Sequence, residues 1–210
     1  MQYNFICIEG NIGAGKTSLA EKIAADCNAH IILEEFNNNP FLPKFYKNPT
    51  KYAFPLELFF MVERYKQIKH FKEQEIFSDF TVSDYFFIKS RLFAQNNLPA
   101  EELQLFYNIF DIMLSALPKP NLLIYLHADI QFLQKNIKKR DRSYEQDITD
   151  DYLLRIQKRY LDFFKKQNDF PVLIIDITNT DFVENDSVYQ KIVSAIKKPY
   201  SFGVYQLSLQ

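Results

Sequence analysis

Short apolar runs alternate along the chain with longer segments in which apolar residues recur every three or four positions. The short runs predict β-strands and the longer segments predict helices. Such alternation is typical of an α/β fold with a parallel sheet, here five-stranded and flanked by helices on both faces. Strands are expected at residues 4–8, 30–33, 80–82, 122–126 and 172–176. Helices are expected at residues 17–26, 55–72, 86–95, 101–117, 130–138, 149–167 and 182–197.

A single domain is expected over residues 1–198, followed by a tail of unassigned role at residues 199–210. The chain has 210 residues, of which 47% are hydrophobic, and this suits one α/β domain with a substantial core. No internal repeat, low-complexity tract or linker-like stretch divides it. Residues 204–207 of the tail alternate like a strand, but the sequence does not indicate which strand they pair with.

The segment after the first predicted strand carries the pattern G-x-x-x-x-G-K-[ST], from Gly10 to Thr17. Strand, glycine-rich turn and helix follow one another in the order that a phosphate-binding loop requires. Backbone N–H groups of such a loop surround a polyphosphate, Lys16 adds a positive charge, and Thr17 offers a hydroxyl to magnesium. ATP is therefore expected to contact Gly10, Asn11, Ile12, Gly13, Ala14, Gly15, Lys16, Thr17 and Ser18.

Charged residues follow several predicted strands, at the edge of the sheet where ligands bind in such folds. Phosphoryl transfer needs a proton acceptor, magnesium and cations around the phosphates. Glu34 is expected to accept the proton, and Asp84 to hold magnesium together with Thr17. Arg140 and Arg142 are expected to close over the phosphates as a lid and to act in catalysis with Lys16. The alternative for the two arginines is a solvated basic turn. 

Composition and charge favour a cytoplasmic protein that acts on small molecules. The net charge of −1 gives no reason to expect nucleic acid or an anionic membrane as a partner. Cys7 and Cys27 form no disulfide or metal-binding pattern. The first strand is predicted within a few residues of Met1, so no signal peptide is expected, and no apolar run approaches membrane-spanning length.

Four segments together resemble the deoxynucleoside kinases of the deoxycytidine/deoxyguanosine kinase type, especially the short bacterial deoxyadenosine and deoxyguanosine kinases. They read IEGNIGAGK at residues 8–16, LEEF at 33–36, NPFLPKFY at 39–46 and KRDRSYE at 139–145. The resemblance runs nearly end to end. It implies a P-loop kinase with a lid loop that phosphorylates the 5′-hydroxyl of a purine deoxynucleoside with ATP and Mg²⁺, in nucleotide salvage. It also implies a homodimer, with helices 55–72 and 101–117 as candidate contacts.

The same resemblance assigns roles to individual residues. Glu34 becomes the base that takes the proton of the 5′-hydroxyl, and Tyr46 and Glu145 become a pair that binds the 3′-hydroxyl. Phe93 resembles the aromatic residue that stacks on the base. Residues 176–182, which include Asp181, resemble the loop that wraps the adenine of ATP.

The helix predicted at residues 55–72 is expected to line the base pocket, because Glu57, Phe60 or Met61, and Arg64 share one face. In the family the position of Glu57 is commonly a glutamine, and Arg64 matches an arginine of purine-preferring members. An ionised carboxylate only accepts hydrogen bonds, which suits the two adjacent donors of guanine better than the donor and acceptor of adenine. Deoxyguanosine is therefore expected ahead of deoxyadenosine. The alternative is a Glu57–Arg64 contact without base recognition.

The chain departs from the family after the third strand, where it reads Ser83-Asp84-Tyr85 instead of an acidic residue followed by Arg-Ser. Arg64 or Arg91 could supply the missing charge, a lid arginine could do so, or the protein could be a catalytically weakened relative.

Two other functions stay open at this point. One is a nucleoside monophosphate kinase of the thymidylate kinase type, which would need further cations near Glu34 for a second phosphate. The other is a non-catalytic ATP-binding relative that serves as a structural or regulatory subunit.

Overall fold

The computed structural model describes residues 2–36, 38–69 and 78–209. Its centre is one parallel sheet in the strand order β2-β3-β1-β4-β5-β6. The predicted α/β fold with a parallel sheet is therefore confirmed, but the sheet has six strands where five were expected. The strands are β1 (Phe5–Gly10), β2 (Ala29–Ile32), β3 (Phe80–Ser83), β4 (Leu122–His127), β5 (Pro171–Asp176) and β6 (Gly203–Ser208).

Seven of the helices correspond to predicted segments, with ends that differ by a few residues. The helix expected at 55–72 begins earlier, at Pro49, and carries Pro55 inside it. A proline is favoured at the first helical position, which made Pro55 look like a helix start. Residues 70–72 of that prediction lie outside the described residues. The helices are α1 (Lys16–Cys27), α2 (Leu42–Lys47), α3 (Pro49–Lys69), α4 (Ile88–Asn97), α5 (Ala100–Ser115), α6 (Ile130–Arg140), α7 (Asp150–Phe164) and α8 (Asp186–Ile196).

Helices cover both faces of the sheet, so the core is divided into two layers. Alternate residues of β1 face opposite sides, with Ile6 and Ile8 in one layer and Phe5 and Cys7 in the other. The first layer is closed by apolar residues of α1, α6 and α8, and the second by those of α3, α4, α5 and α7. Strands that are buried on both faces read as continuous apolar runs, which is why the sequence predicts them well.

The sixth strand comes from the expected tail. β6 pairs in parallel with β5, with Leu173 opposite Tyr205. Tyr205 and Leu207 pack against the first core layer, whereas Val204 on the opposite side of the strand is exposed. The alternation at residues 204–207 thus indicated a strand, while its pairing depends on contacts distant in sequence.

The strand order places the candidate chemistry at one edge of the sheet. β1 lies between β3 and β4, and β2 is beside β3. Because all these strands are parallel, the residues after β1, β2 and β3 emerge side by side. No helix among the described residues is long and apolar enough to cross a membrane.

Candidate active site

The phosphate-binding loop follows β1 and needs glycine at Gly13. The backbone there has φ 83°, and a Cβ added to it would lie 2.7 Å from the carbonyl oxygen of Leu133 in α6. Such a contact is too short for any side chain, so glycine lets the loop pack directly against α6. α1 begins at Lys16, which leaves its first N–H groups directed toward the loop.

Lys16 lies within this loop and lines a pocket together with Glu34. Its Nζ donates to the carbonyl oxygen of Asn11 at 2.9 Å. The pKa of Lys16 is lowered to about 8, chiefly by burial and then by the like charge of Lys89. Two cations held this close together favour an anion between them.

Asp84 connects the loop to the neighbouring strand ends. Its Oδ2 accepts from Thr17 Oγ1 at 2.5 Å, and its Oδ1 accepts from the backbone N–H of Glu34 at 2.7 Å. Burial and the charge of Glu34 raise the pKa of Asp84. A hydroxyl and a carboxylate are hard oxygen donors of the kind that Mg²⁺ prefers. The described part of the chain contains no cluster of three or more His, Cys, Asp or Glu side chains that could hold a metal ion.

Glu34 is held by two cations from different helices. Its Oε1 accepts from Arg64 Nε at 2.8 Å and from Arg64 Nη2 at 2.6 Å. Its Oε2 accepts from Lys89 Nζ at 2.5 Å. Burial alone would raise the pKa of Glu34, but the charges of Lys89 and Arg64 outweigh it and hold that pKa well below its usual range. Glu34 is thus a fixed carboxylate in the pocket, whereas Glu35 is exposed.

The α3 residues expected at the base pocket are divided between pocket and core. Glu57, Phe60 and Arg64 line the pocket, whereas Met61 is fully buried in the second core layer. Burial raises the pKa of Glu57 to about 7. The alternative Glu57–Arg64 contact is not among the hydrogen bonds or ion pairs of the described residues. Glu57 instead accepts from Asn97 Nδ2 at 2.6 Å.

One face of α4 contributes three residues to the pocket, at four-residue spacing: Lys89, Phe93 and Asn97. Only Phe93 was expected from the sequence. The helical period of this segment could have identified the other two, because residues four apart lie on the same helix face. Asn97 also donates to Tyr152 Oη at 3.3 Å, which brings a further unexpected residue from α7 to the pocket.

The lid residues lie where α6 ends and a 3₁₀ turn at Ser143–Glu145 begins. Arg140 and Arg142 both form ion pairs with Glu145, the latter at 3.3 Å. The Arg142 guanidinium lies 3.7 Å from the centre of the Phe36 ring. Arg140 is nevertheless exposed, so the assignment of the two arginines to a lid stays a prediction. The buried Glu145, both arginines and Tyr46 line the same pocket as Glu34.

Tyr85, at the position where the resemblance predicts an arginine, is fully buried and donates from its hydroxyl to Gln67 Oε1 at 2.6 Å. Of the proposed substitutes, Arg64 contacts Glu34. Arg91 packs over the ring of Tyr107, with 4.8 Å between the guanidinium carbon and the ring centre. Lys89, which sequence reasoning missed, is the second cation on Glu34.

The segment after β5 lies beside the phosphate-binding loop. A Cβ on Gly15 would be 2.9 Å from the ring of Phe182. The neighbouring Asp181 is exposed, and its Oδ1 accepts from the backbone N–H groups of Val183 and Glu184, each at 3.1 Å. In this arrangement the Asp181 side chain stabilises its own turn.

A parallel α/β sheet, a phosphate-binding loop after β1 and carboxylates after β2 and β3 define the class of P-loop kinases. A family model described as "Deoxynucleoside kinase" matches residues 6–200. The chain therefore belongs to the deoxynucleoside kinase family, and the prediction that it is an enzyme of this kind, a transferase, is confirmed.

Two bacterial relatives illustrate the similarity. A deoxyguanosine kinase from Bacillus subtilis is 35% identical over 199 residues, which cover 92% of this chain and 96% of the relative. A deoxyadenosine kinase from Lactobacillus acidophilus is 32% identical over 201 residues, covering 91% of this chain and 94% of the relative.

The fold is also similar to that of a solved structure, the deoxyadenosine kinase from M. mycoides with bound dATP. The two share a TM-score of 0.79 at 23% identity, and the match covers 92% of this chain and 99% of the other.

Proposed function

We propose that the protein transfers the terminal phosphoryl group of ATP to the 5′-hydroxyl of a purine deoxynucleoside, with deoxyguanosine preferred to deoxyadenosine. One observation carries the proposal: Glu34, an ionised carboxylate at the end of β2, lines the same pocket as Lys16 of the phosphate-binding loop. A proton acceptor and a phosphate-binding cation across one pocket suit the attack of a single alcohol on a phosphate.

In the proposed reaction the 5′-oxygen forms a bond to the γ-phosphorus while the bond to the β–γ bridging oxygen breaks. The hydroxyl proton passes to Glu34, and ADP leaves. Lys16, Arg140 and Arg142 are assigned to the negative charge of the phosphates. Thr17 and Asp84 are assigned to Mg²⁺, which would neutralise charge on the phosphates when bound.

The low pKa of Glu34 indicates how it contributes. A carboxylate flanked by two cations is a weak base. Phosphoryl transfer has a loose transition state in which the attacking oxygen carries little extra charge, so positioning matters more than basicity. We therefore propose that Glu34 orients the hydroxyl and receives its proton late in phosphoryl transfer.

The sugar and base contacts follow from the residues that line the rest of the pocket. Tyr46 and Glu145 are proposed to bind the 3′-hydroxyl, and Phe93 to stack on the base. Glu57 is proposed to accept from guanine, and Arg64 to donate to its keto oxygen. Arg64 donates three of its five N–H groups to Glu34 and Ser90, which leaves two N–H groups for a ligand.

We also propose a homodimer through α3 and α5, a role in nucleotide salvage, and a cytoplasmic location. The apolar side chains of Leu105 and Ile112 on α5 are 52% and 73% exposed, which supports a second copy of the chain as the partner of that helix. Salvage fits because 5′-phosphorylation converts a preformed deoxynucleoside into a nucleotide. Cys7 and Cys27 are free thiols, as is usual in a reducing compartment.

The test is direct turnover by the purified protein. Mg-ATP is supplied with each of the four deoxynucleosides, and separately with dTMP, and the products are separated by chromatography. Formation of dGMP is expected to be fastest, followed by dAMP. Turnover of dTMP alone would favour a monophosphate kinase. Absence of any deoxynucleoside monophosphate would overturn the proposal.

A further inference from the structure

Lys89 lies deep in the proposed active site. Its side chain is 7% exposed, and its Nζ lies 2.5 Å from Glu34 Oε2. It lines the pocket with Lys16, and its charge contributes to the lowered pKa of that lysine. A buried ammonium is costly unless it is paired, so this position depends on the Glu34 carboxylate.

The hydrogen bonds of Glu34 show which of its oxygens remains available to a substrate. A carboxylate has about four lone-pair positions, two on each oxygen. Arg64 donates twice to Oε1, whereas Oε2 accepts only from Lys89 among the described residues. A hydroxyl whose proton passes to Glu34 must therefore approach Oε2.

This places Lys89 next to the reacting atoms. Two donors that share one acceptor oxygen at ordinary hydrogen-bond lengths lie roughly 4–5 Å apart. The Lys89 ammonium would thus stand beside the attacking oxygen, while Arg64 stays on the other carboxylate oxygen. Lys16 approaches the same space from the phosphate-binding loop.

We propose that Lys89 is a positioning residue for phosphoryl transfer: it fixes Oε2 of Glu34 toward the sugar hydroxyl and places a positive charge beside the attacking oxygen. This inference rests on the proposed function. Lys89 also supplies a positive charge beside Glu34. The resemblance predicts that charge from an arginine at position 85, where this chain has a buried tyrosine.

The experiment compares Lys89→Met, Lys89→Gln and Lys89→Arg with the wild type, using Mg-ATP and deoxyguanosine. Lys66→Met, an exposed lysine of α3 that pairs with Glu63, is the matched control. Lys89→Met and Lys89→Gln are expected to lower kcat by about 10- to 100-fold, with a smaller change in KM. Lys89→Arg should restore most of the rate, and Lys66→Met should match the wild type.

A wild-type kcat in folded Lys89→Met or Lys89→Gln would overturn the inference while leaving the proposed function intact. Inactivity of the wild type on every deoxynucleoside would instead count against the proposed function. A second comparison separates the charge of the side chain from its size. A loss of kcat in folded Lys89→Arg as large as that in Lys89→Met would contradict the role of the Lys89 charge.

Discussion

Tyr46 and Tyr144 stack on each other, with 6.2 Å between ring centres and 18° between ring planes. The contact joins α2, which carries the residue proposed to bind the sugar, to the 3₁₀ turn of the lid. Arg142 adds a second contact between the lid and the segment after β2 through the ring of Phe36. This aromatic packing would couple closure of the proposed lid to formation of the proposed sugar site.

The stacking predicts that loss of the Tyr144 ring weakens substrate capture. An aromatic pair contributes about 0.5–1.5 kcal/mol beyond its area, so Tyr144→Ala should lower kcat/KM for deoxyguanosine by roughly 2- to 10-fold. Tyr144→Phe keeps the ring and should stay close to the wild type. Steady-state kinetics at fixed saturating Mg-ATP measure kcat/KM for both variants. Equal losses in the two variants would assign the effect to the hydroxyl instead of the ring.

The role proposed for Glu34 predicts that Glu34→Gln separates nucleotide binding from turnover. The variant keeps the size of the side chain but loses the charge and the proton acceptor. We expect kcat to fall by about 100-fold or more, with the dissociation constant of Mg-ATP nearly unchanged. Glu35→Gln is the matched control, because Glu35 is the exposed neighbour on the same segment. Full activity of Glu34→Gln, or a comparable loss in Glu35→Gln, would contradict the assignment.

The parts of the candidate site that depend on local pattern are visible in the sequence. The loop at Gly10–Thr17 carries its own spacing, and the position of Glu34 follows from the end of an apolar run. Residues whose place depends on packing were missed. Lys89 and Asn97 reach the pocket only because α4 turns one face toward α3, and the sequence did not show that Tyr85 points into the core.

The same distinction between local pattern and packing explains where the predicted fold differs from the structure. β6 was left without a partner because its pairing with β5 spans a complete helix, whereas its alternation was visible locally. α2 has only six residues, too few for a helical period to emerge, and its apolar side chains pack in the second core layer and line the pocket.

The raised pKa of Glu57 predicts that base preference depends on pH. Burial raises this pKa to about 7, so the carboxyl is protonated at lower pH and ionised above it. The ionised form accepts from both donors of guanine, whereas the protonated form offers one donor and one acceptor, as adenine requires. The ratio of kcat/KM for deoxyguanosine to that for deoxyadenosine should therefore rise between about pH 6 and about pH 8.

Glu57→Gln provides the control for this pH effect. An amide does not titrate in that range, and it presents one donor and one acceptor at every pH. The variant should favour deoxyadenosine, and its ratio should stay constant with pH. A rising ratio in Glu57→Gln would assign the titration to another group, such as the nearby Lys16, whose pKa is lowered to about 8.

Close packing of the phosphate-binding loop predicts that Gly13→Ala costs both stability and nucleotide binding. The new Cβ would lie 2.7 Å from the Leu133 carbonyl oxygen, at a backbone φ of 83° that disfavours side chains. Strain of this kind typically costs about 1–3 kcal/mol, so the urea midpoint should fall. Because relief of the contact moves the loop away from α6, stabilisation by added Mg-ATP should also decrease. Glu21→Ala, at an exposed position of α1, should leave both quantities unchanged. An unaltered midpoint in Gly13→Ala would show that α6 can move without cost.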